Sequence, residues 1–143
     1  MAGIMNNRTG GCHCGAVRFE VTLSDDLKSV LRCNGSYCRM RGSVVAAVAL
    51  DGINILQGNV ILTSYRFNTR KAQHFFCSRC GIHTHHQRRS DPNRHAVNVA
   101  CLDGVSPFDF SKVPVMDGAN HPNDTGKPAQ LAGTLHFEST SKR

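Results

Sequence analysis

"GGCHCGAVRFEVT", residues 10–22, places a strand directly behind a pair of thiols. In its second half Val17, Phe19 and Val21 alternate with Arg18, Glu20 and Thr22, the period of a strand with one buried face. In its first half Cys12 and Cys14 stand two residues apart. A second pair, Cys77 and Cys80, follows far along the chain in "FFCSRCG". Structural zinc takes four ligands in a tetrahedron, and thiolates suit it. Two residues between Cys77 and Cys80 let the backbone curl so that both sulfurs face one ion; the tighter C-x-C pair needs a bend between its sulfurs. Gly81 and Gly15 directly follow the two pairs, where a left-handed turn would be costly for other residues. Joining residue 14 to residue 77 closes a long loop, and such closures constrain the unfolded chain most. The metal is therefore expected to be part of the fold. Four unmetallated core thiols are the alternative.

Outward from these pairs the chain reads as further short strands. "SVVAAVAL" (43–50) is a continuous apolar run, short enough for a strand buried on both faces. "NVILTSYRF", "KAQHFFC", "GIHTHHQ" and "HAVNVACL" follow, separated by Gly, Asn, Asp and Pro, and "GTLHFE" reads as a last strand. Only "SYCRMRG" reads as a helical turn. Residues 107–128 lack periodicity and hold four of the five prolines, which predicts a long surface loop. The expected class is mainly β, without the strand–helix alternation of a nucleotide-binding sheet. The expected layout is a flexible tail (1–8), one zinc-binding β domain (9–138) and a C-terminal tail (139–143).

A chain of 143 residues suffices for one domain with a core. No apolar run is long enough to span a bilayer, and the N-terminus lacks an apolar core of signal-peptide length. A cytoplasmic protein that does not engage membranes is the expectation. In that compartment seven cysteines read as ligands, catalytic groups or core residues before disulfides. The net charge of +7 is concentrated: Arg66, Arg70, Lys71, Arg79, Arg88, Arg89 and Arg94 face the single acid Asp91, and Lys28 to Arg41 holds four cations and no acid. Such a field favours anionic partners, although a solvated basic surface accounts for it equally well. Nucleic acid is not the favoured partner, because there is no Trp, aromatics are only 6%, and no recognition helix follows the second cysteine pair.

"GGCHCGAVRFEV", "CNGSYCRMRG", "FFCSRCGIH" and "VNVACLDG" stand in an order and spacing that resembles the glutathione-dependent formaldehyde-activating enzyme family, which is related to centromere protein V. The likeness covers roughly residues 9 to 104. It implies a β-tent fold of short antiparallel sheets joined by a structural zinc on Cys12, Cys14, Cys77 and Cys80. It also implies a second, catalytic zinc on a C-x-C-x-x-C motif, and a carbon–sulfur lyase reaction that joins glutathione to formaldehyde or reverses that step. Three thiolates leave a coordination position open, as a catalytic zinc requires.

This chain departs from the motif. Aligning Cys33 and Cys38 with its outer positions puts Gly35 where the central sulfur belongs. Cys33 and Cys38 are the candidate catalytic and second-zinc residues. Arg39 and Arg41 are candidates for gripping the carboxylates of a glutathione-like ligand. Candidates for completing the second shell are Cys101 and, on "GIHTHHQ", His83 and His85, which uniform alternation places on one face with His86 opposite; core packing and solvation are the competing roles. His13 is expected to point away from the metal, and His74, His95, His121 and His136 show no ligand-like spacing. Two functions fit: a zinc-dependent lyase or synthase acting on a small-molecule thiol adduct, or a zinc-stabilised binding module for an anionic small molecule, protein or nucleic acid.

Overall fold

A computed structural model describes residues 7–67, 72–88 and 93–140. Arg70, Lys71, Arg89 and Asp91 of the basic segment lie outside the described residues, as do residues 1–6 and 141–143 of the two expected tails. The architecture is mainly β, the β-tent class expected from the sequence. Strands β1 (Asn7–Gly11), β2 (Arg18–Leu23), β4 (Val45–Gln57), β5 (Leu62–Tyr65), β6 (Gln73–Cys77), β7 (His83–Gln87) and β8 (His95–Asn98) form one sheet in the order β1-β2-β4-β8-β7-β6-β5. Every pairing within it is antiparallel. A smaller sheet holds β10 (Leu131–His136), β9 (Lys112–Met116) and β3 (Arg32–Cys33), the last two parallel. Helix α1 (Ser36–Arg41) takes the place read as a helical turn, and a short α2 spans Pro122–Thr125.

β2 keeps the alternation of its sequence, with Phe19, Val21 and Leu23 buried. They pack with Val17, Val48, Val97, Val99 and Leu102 in one core. Each such side chain withdrawn from water contributes on the order of 1.5–3 kcal/mol before chain entropy is counted. β4 is longer than the apolar run that predicted it. Its first residues pair with β8, and its later ones with β2. Between them Asp51 adopts a left-handed φ of 57°, and the register to β2 shifts. Asp-Gly, a common hairpin turn, here makes a bend within one strand. That bend lets β4 belong to both halves of the large sheet.

Two further expectations are corrected. Residues 107–128 are not a continuous loop, because β9 lies inside them. Its proline is tolerated because β3 pairs only with Val115 and Met116, leaving Pro114 facing β10 on one side alone. In β7 the alternation breaks. Phe75 pairs with His85 and Phe76 with His83, so Thr84 is the extra residue of a bulge. The bulge shifts the parity of the strand. His83 joins His86, their ring centroids 5.8 Å apart, while His85 stacks on Phe75 at 4.5 Å. The expected pairing of His83 with His85 does not form.

Candidate metal centre

The two thiol pairs meet. Cys12 and Cys14 occupy the turn between β1 and β2, where the Gly15 amide donates to the Cys12 carbonyl (3.1 Å). Cys77 ends β6, and the Gly81 amide closes its knuckle onto the Cys77 carbonyl at 2.8 Å. Gly15 and Gly81 both take left-handed φ values, 79° and 77°, as the sequence required. The four sulfurs lie within 4.8 Å of one another. Cys12 and Cys14 Sγ are 3.6 Å apart, and Cys14 and Cys77 Sγ 3.8 Å. A tetrahedron with zinc–sulfur bonds of about 2.3 Å has edges of about 3.8 Å. The Val17 amide donates to Cys12 Sγ and the Arg79 amide to Cys77 Sγ, each at 3.3 Å, contacts that stabilise thiolate charge. The donor set and its spacing therefore fit zinc. His13 is exposed, and Cys101 is buried with its thiol donating to the His83 carbonyl at 3.3 Å. Burial pushes the Cys101 thiol up to about 12.

Cys33 and Cys38 form a second sulfur pair. Cys33 closes β3, and Cys38 lies in α1, which Gly35 caps. A hydrogen bond from Cys38 brings Cys33 down to about 6; burial opposes the shift, and the Gly35 and Gly118 amides and Arg41 support it. Cys38 is raised by the same hydrogen bond and by burial. Of the two thiols, Cys33 is therefore the easier to deprotonate and Cys38 the harder. Arg41 turns inward one helical turn later. Its Nη2 donates to Cys38 Sγ at 3.5 Å and its Nη1 to His74 Nδ1 at 2.7 Å, and its guanidinium lies over the Tyr37 ring. Arg39 is exposed. Tyr37 packs on Tyr65 and His74, with centroids 5.2 and 4.3 Å away.

A third ligand does not join this pair. Among the described residues only two groups bring three or more metal-ligating atoms within 4.8 Å of one another, the four cysteines and His74–His83–His86. Neither contains Cys33 or Cys38. His85 lies between Phe19 and Phe75. At Gly35, a Cβ would meet nothing nearer than Cys33 Sγ at 3.5 Å, so the missing sulfur's place is open.

Sequence reasoning missed what covers Cys33. Residues 118–120 fold over it, and a Cβ on Gly118 would collide with Cys33 Sγ. Asn34 pins this cover by accepting from the Ala119 amide (2.9 Å) and donating to Asp117 Oδ1 (3.2 Å). Only the absence of a side chain at residue 118 permits the approach. No spacing rule links it to Cys33.

Two comparisons bear on this arrangement. The family model described as glutathione-dependent formaldehyde-activating enzyme matches residues 7–113. The crystal structure of a Rhodobacter sphaeroides protein, a structural-genomics target, is similar at 48% sequence identity and a TM-score of 0.73. The match covers 75% of this chain and 98% of that one.

Proposed function

The chain belongs to the glutathione-dependent formaldehyde-activating enzyme family, and from that membership we propose that it forms or breaks the carbon–sulfur bond of a small-molecule thiol adduct at Cys33 and Cys38. The observation that carries this reading is the Cys33–Cys38 sulfur pair set among positive groups, with the Gly35 amide donating to Cys33 Sγ at 3.4 Å and Arg41 Nη2 to Cys38 Sγ at 3.5 Å. Addition of a thiol to an aldehyde makes one C–S bond, converts C=O to C–O, and moves the thiol proton to that oxygen. Cys33 and Cys38 would hold the second metal, with Gly35 leaving the site one sulfur short. Zinc there would lower the thiol pKa and polarise the aldehyde oxygen. The residues around it supply the rest. The Gly35 and Gly118 amides and Arg41 hold negative charge at Cys33. Exposed Arg39 stands at the mouth of the helix turn for the carboxylates of glutathione or a similar thiol. Seven free cysteines suit a reducing compartment, and we assign the protein to the cytoplasm. Among the described residues no helix is long and apolar enough to cross a membrane.

The second reading, a zinc-stabilised binding module without turnover, is favoured by one observation: no third ligand joins Cys33 and Cys38 among the described residues. Exchange spectroscopy on glutathione and formaldehyde separates the two. A catalyst speeds exchange between free and hydroxymethylated thiol beyond the uncatalysed rate, and Cys33→Ser abolishes the excess. Saturable glutathione binding with exchange at the background rate selects the binding module. Gly35→Cys tests the site itself. The added sulfur is expected to raise zinc by about one per chain over the parent, measured by elemental mass spectrometry, because three thiolates leave the open tetrahedral site of a catalytic zinc. An unchanged zinc content would mean that Gly35 does not occupy the central ligand position.

A further inference from the structure

We propose that His74, His83 and His86 form a divalent transition-metal site of imidazole ligands, separate from both sulfur groups. His74 comes from β6, and His83 and His86 from β7. One nitrogen of each lies within 4.8 Å of the others. The bulge at Thr84 creates the group, since regular alternation would turn His83 and His86 to opposite faces.

Two nitrogens of this group have no hydrogen-bond partner among the described residues. His83 is 7% exposed and its Nε2 is buried without a hydrogen bond, as is Nδ1 of His86. A buried imidazole nitrogen left unpaired costs roughly 1–3 kcal/mol, and two of them in a group whose ligand atoms gather within 4.8 Å are better explained by a shared occupant. The Ser43 hydroxyl faces His83 Nδ1 at 3.3 Å. When that nitrogen carries the proton, Nε2 presents its lone pair inward, the outer-sphere arrangement that orients metal-bound histidines. Burial keeps the three rings neutral, with His74 lowered to about 4, His83 to about 2 and His86 also lowered. Neutral imidazole is the ligand form. A metal–nitrogen bond of 2.0–2.1 Å sets nitrogens about 3.4 Å apart, so the rings need only a small inward movement. With neither thiolate nor carboxylate in the set, the ligands suit Co(II), Ni(II), Cu(II) or Zn(II) and not calcium or magnesium.

Arg41 is the opposing charge. Its Nη1 already donates to His74 Nδ1, and its Nε is buried without a partner. The guanidinium holds the place of a cation beside His74. A metal bound through His74 Nδ1 displaces that hydrogen bond, and the guanidinium keeps its contact to Cys38 Sγ at 3.5 Å. Arg41 thus sets the affinity of the site without being a ligand.

The test is a Co(II) titration of the full-length protein brought to one zinc per chain, followed by absorbance, with retained zinc measured after each addition. One equivalent should bind with d–d bands and no intense sulfur-to-metal charge transfer, while zinc stays in place. His83→Gln and His86→Gln should each weaken binding by about tenfold or more, and Arg41→Met should tighten it by a similar factor. The inference is overturned if neither the parent nor Arg41→Met binds Co(II). It is also overturned if a charge-transfer band appears and Cys33→Ser removes it, because the ion then belongs to the sulfur pair. Should a β7 variant fail to fold, His74→Gln in β6 and Arg41→Met decide the question in the same way. None of these outcomes depends on turnover.

Discussion

Cys77→Ser is expected to leave a chain that neither melts cooperatively nor retains zinc. Cys77 is fully buried in the main core and stands 3.8 Å from Cys14, which approaches from the opposite end of the large sheet. Structural zinc contributes an apparent ~10–16 kcal/mol in small zinc domains, as much as the whole stability of a typical domain, about 5–15 kcal/mol. Serine binds zinc poorly and leaves three thiolates clustered without compensation. The measurement is zinc content together with the thermal transition by near-ultraviolet circular dichroism. Cys33→Ser is the comparison, since it alters a half-buried thiol outside the four-cysteine group and should melt near the parent. A Cys77→Ser protein that keeps its zinc and its cooperative transition would show that the cluster is a group of packed thiols.

Acid should destabilise the fold well before its carboxylates protonate. His74, His83, His85 and His86 are all lowered, with burial the largest cause in each and nearby Arg41 adding to it for all but His85. Unfolded imidazoles take up protons near pH 6.5. In the folded protein His74 does so at about 4, His85 at about 3 and His83 at about 2. Between pH 6.5 and 4 the unfolded state therefore binds more protons, and stability falls as pH falls. At pH 5 each of His74, His83 and His85 held neutral costs about 2 kcal/mol, so these three together reach the lower end of a typical domain's stability, about 5–15 kcal/mol. Denaturant unfolding at pH 7, 6 and 5 measures the slope. Protonation of the four clustered thiolates, once they hold a metal, would add to it, and His85→Phe separates the two. His85 stacks on Phe75 with planes 11° apart and belongs to neither metal-ligating group. The substitution deprives Thr84 of its hydrogen bond to His85 Nδ1, so the readout is the slope and not the absolute stability. A slope reduced by close to one proton is expected. An unchanged slope would mean that the histidines do not set the acid limit.

The parts legible in the sequence are those governed by local rules. Cys12-x-Cys14 and Cys77-x-x-Cys80 announce themselves because each pair folds within one turn, and β2 because period two is a property of the strand alone. What stayed hidden depends on partners. β9 carries a proline that would disqualify it from most central strands, and it is admitted only because β3 stops short of Pro114. β4 crosses an Asp-Gly dipeptide because the two halves of the sheet pull on either side of it. The three-histidine group is invisible to spacing because a bulge at Thr84 reverses the parity on which spacing arguments rest. The cover over Cys33 could not be read either, since it depends on a glycine from a segment without periodicity.

The order of strands in the large sheet has a consequence for how the protein is made. β8, residues 95–98, sits between β4 and β7, so the two halves of the sheet have no common partner until it emerges. Cys12 and Cys14 leave the ribosome first, and Cys77 follows Cys14 after 63 residues. At about 5–20 residues per second that interval lasts about 3–13 seconds. Throughout it the first hairpin is only marginally stable by itself. Nascent chains arrested before Cys80 emerges should remain open to alkylation at Cys12 and Cys14, and those released past β8 should be protected. Closure of the four-cysteine cluster is then a terminal step of chain synthesis, and until it closes the chain carries its thiols open to solvent.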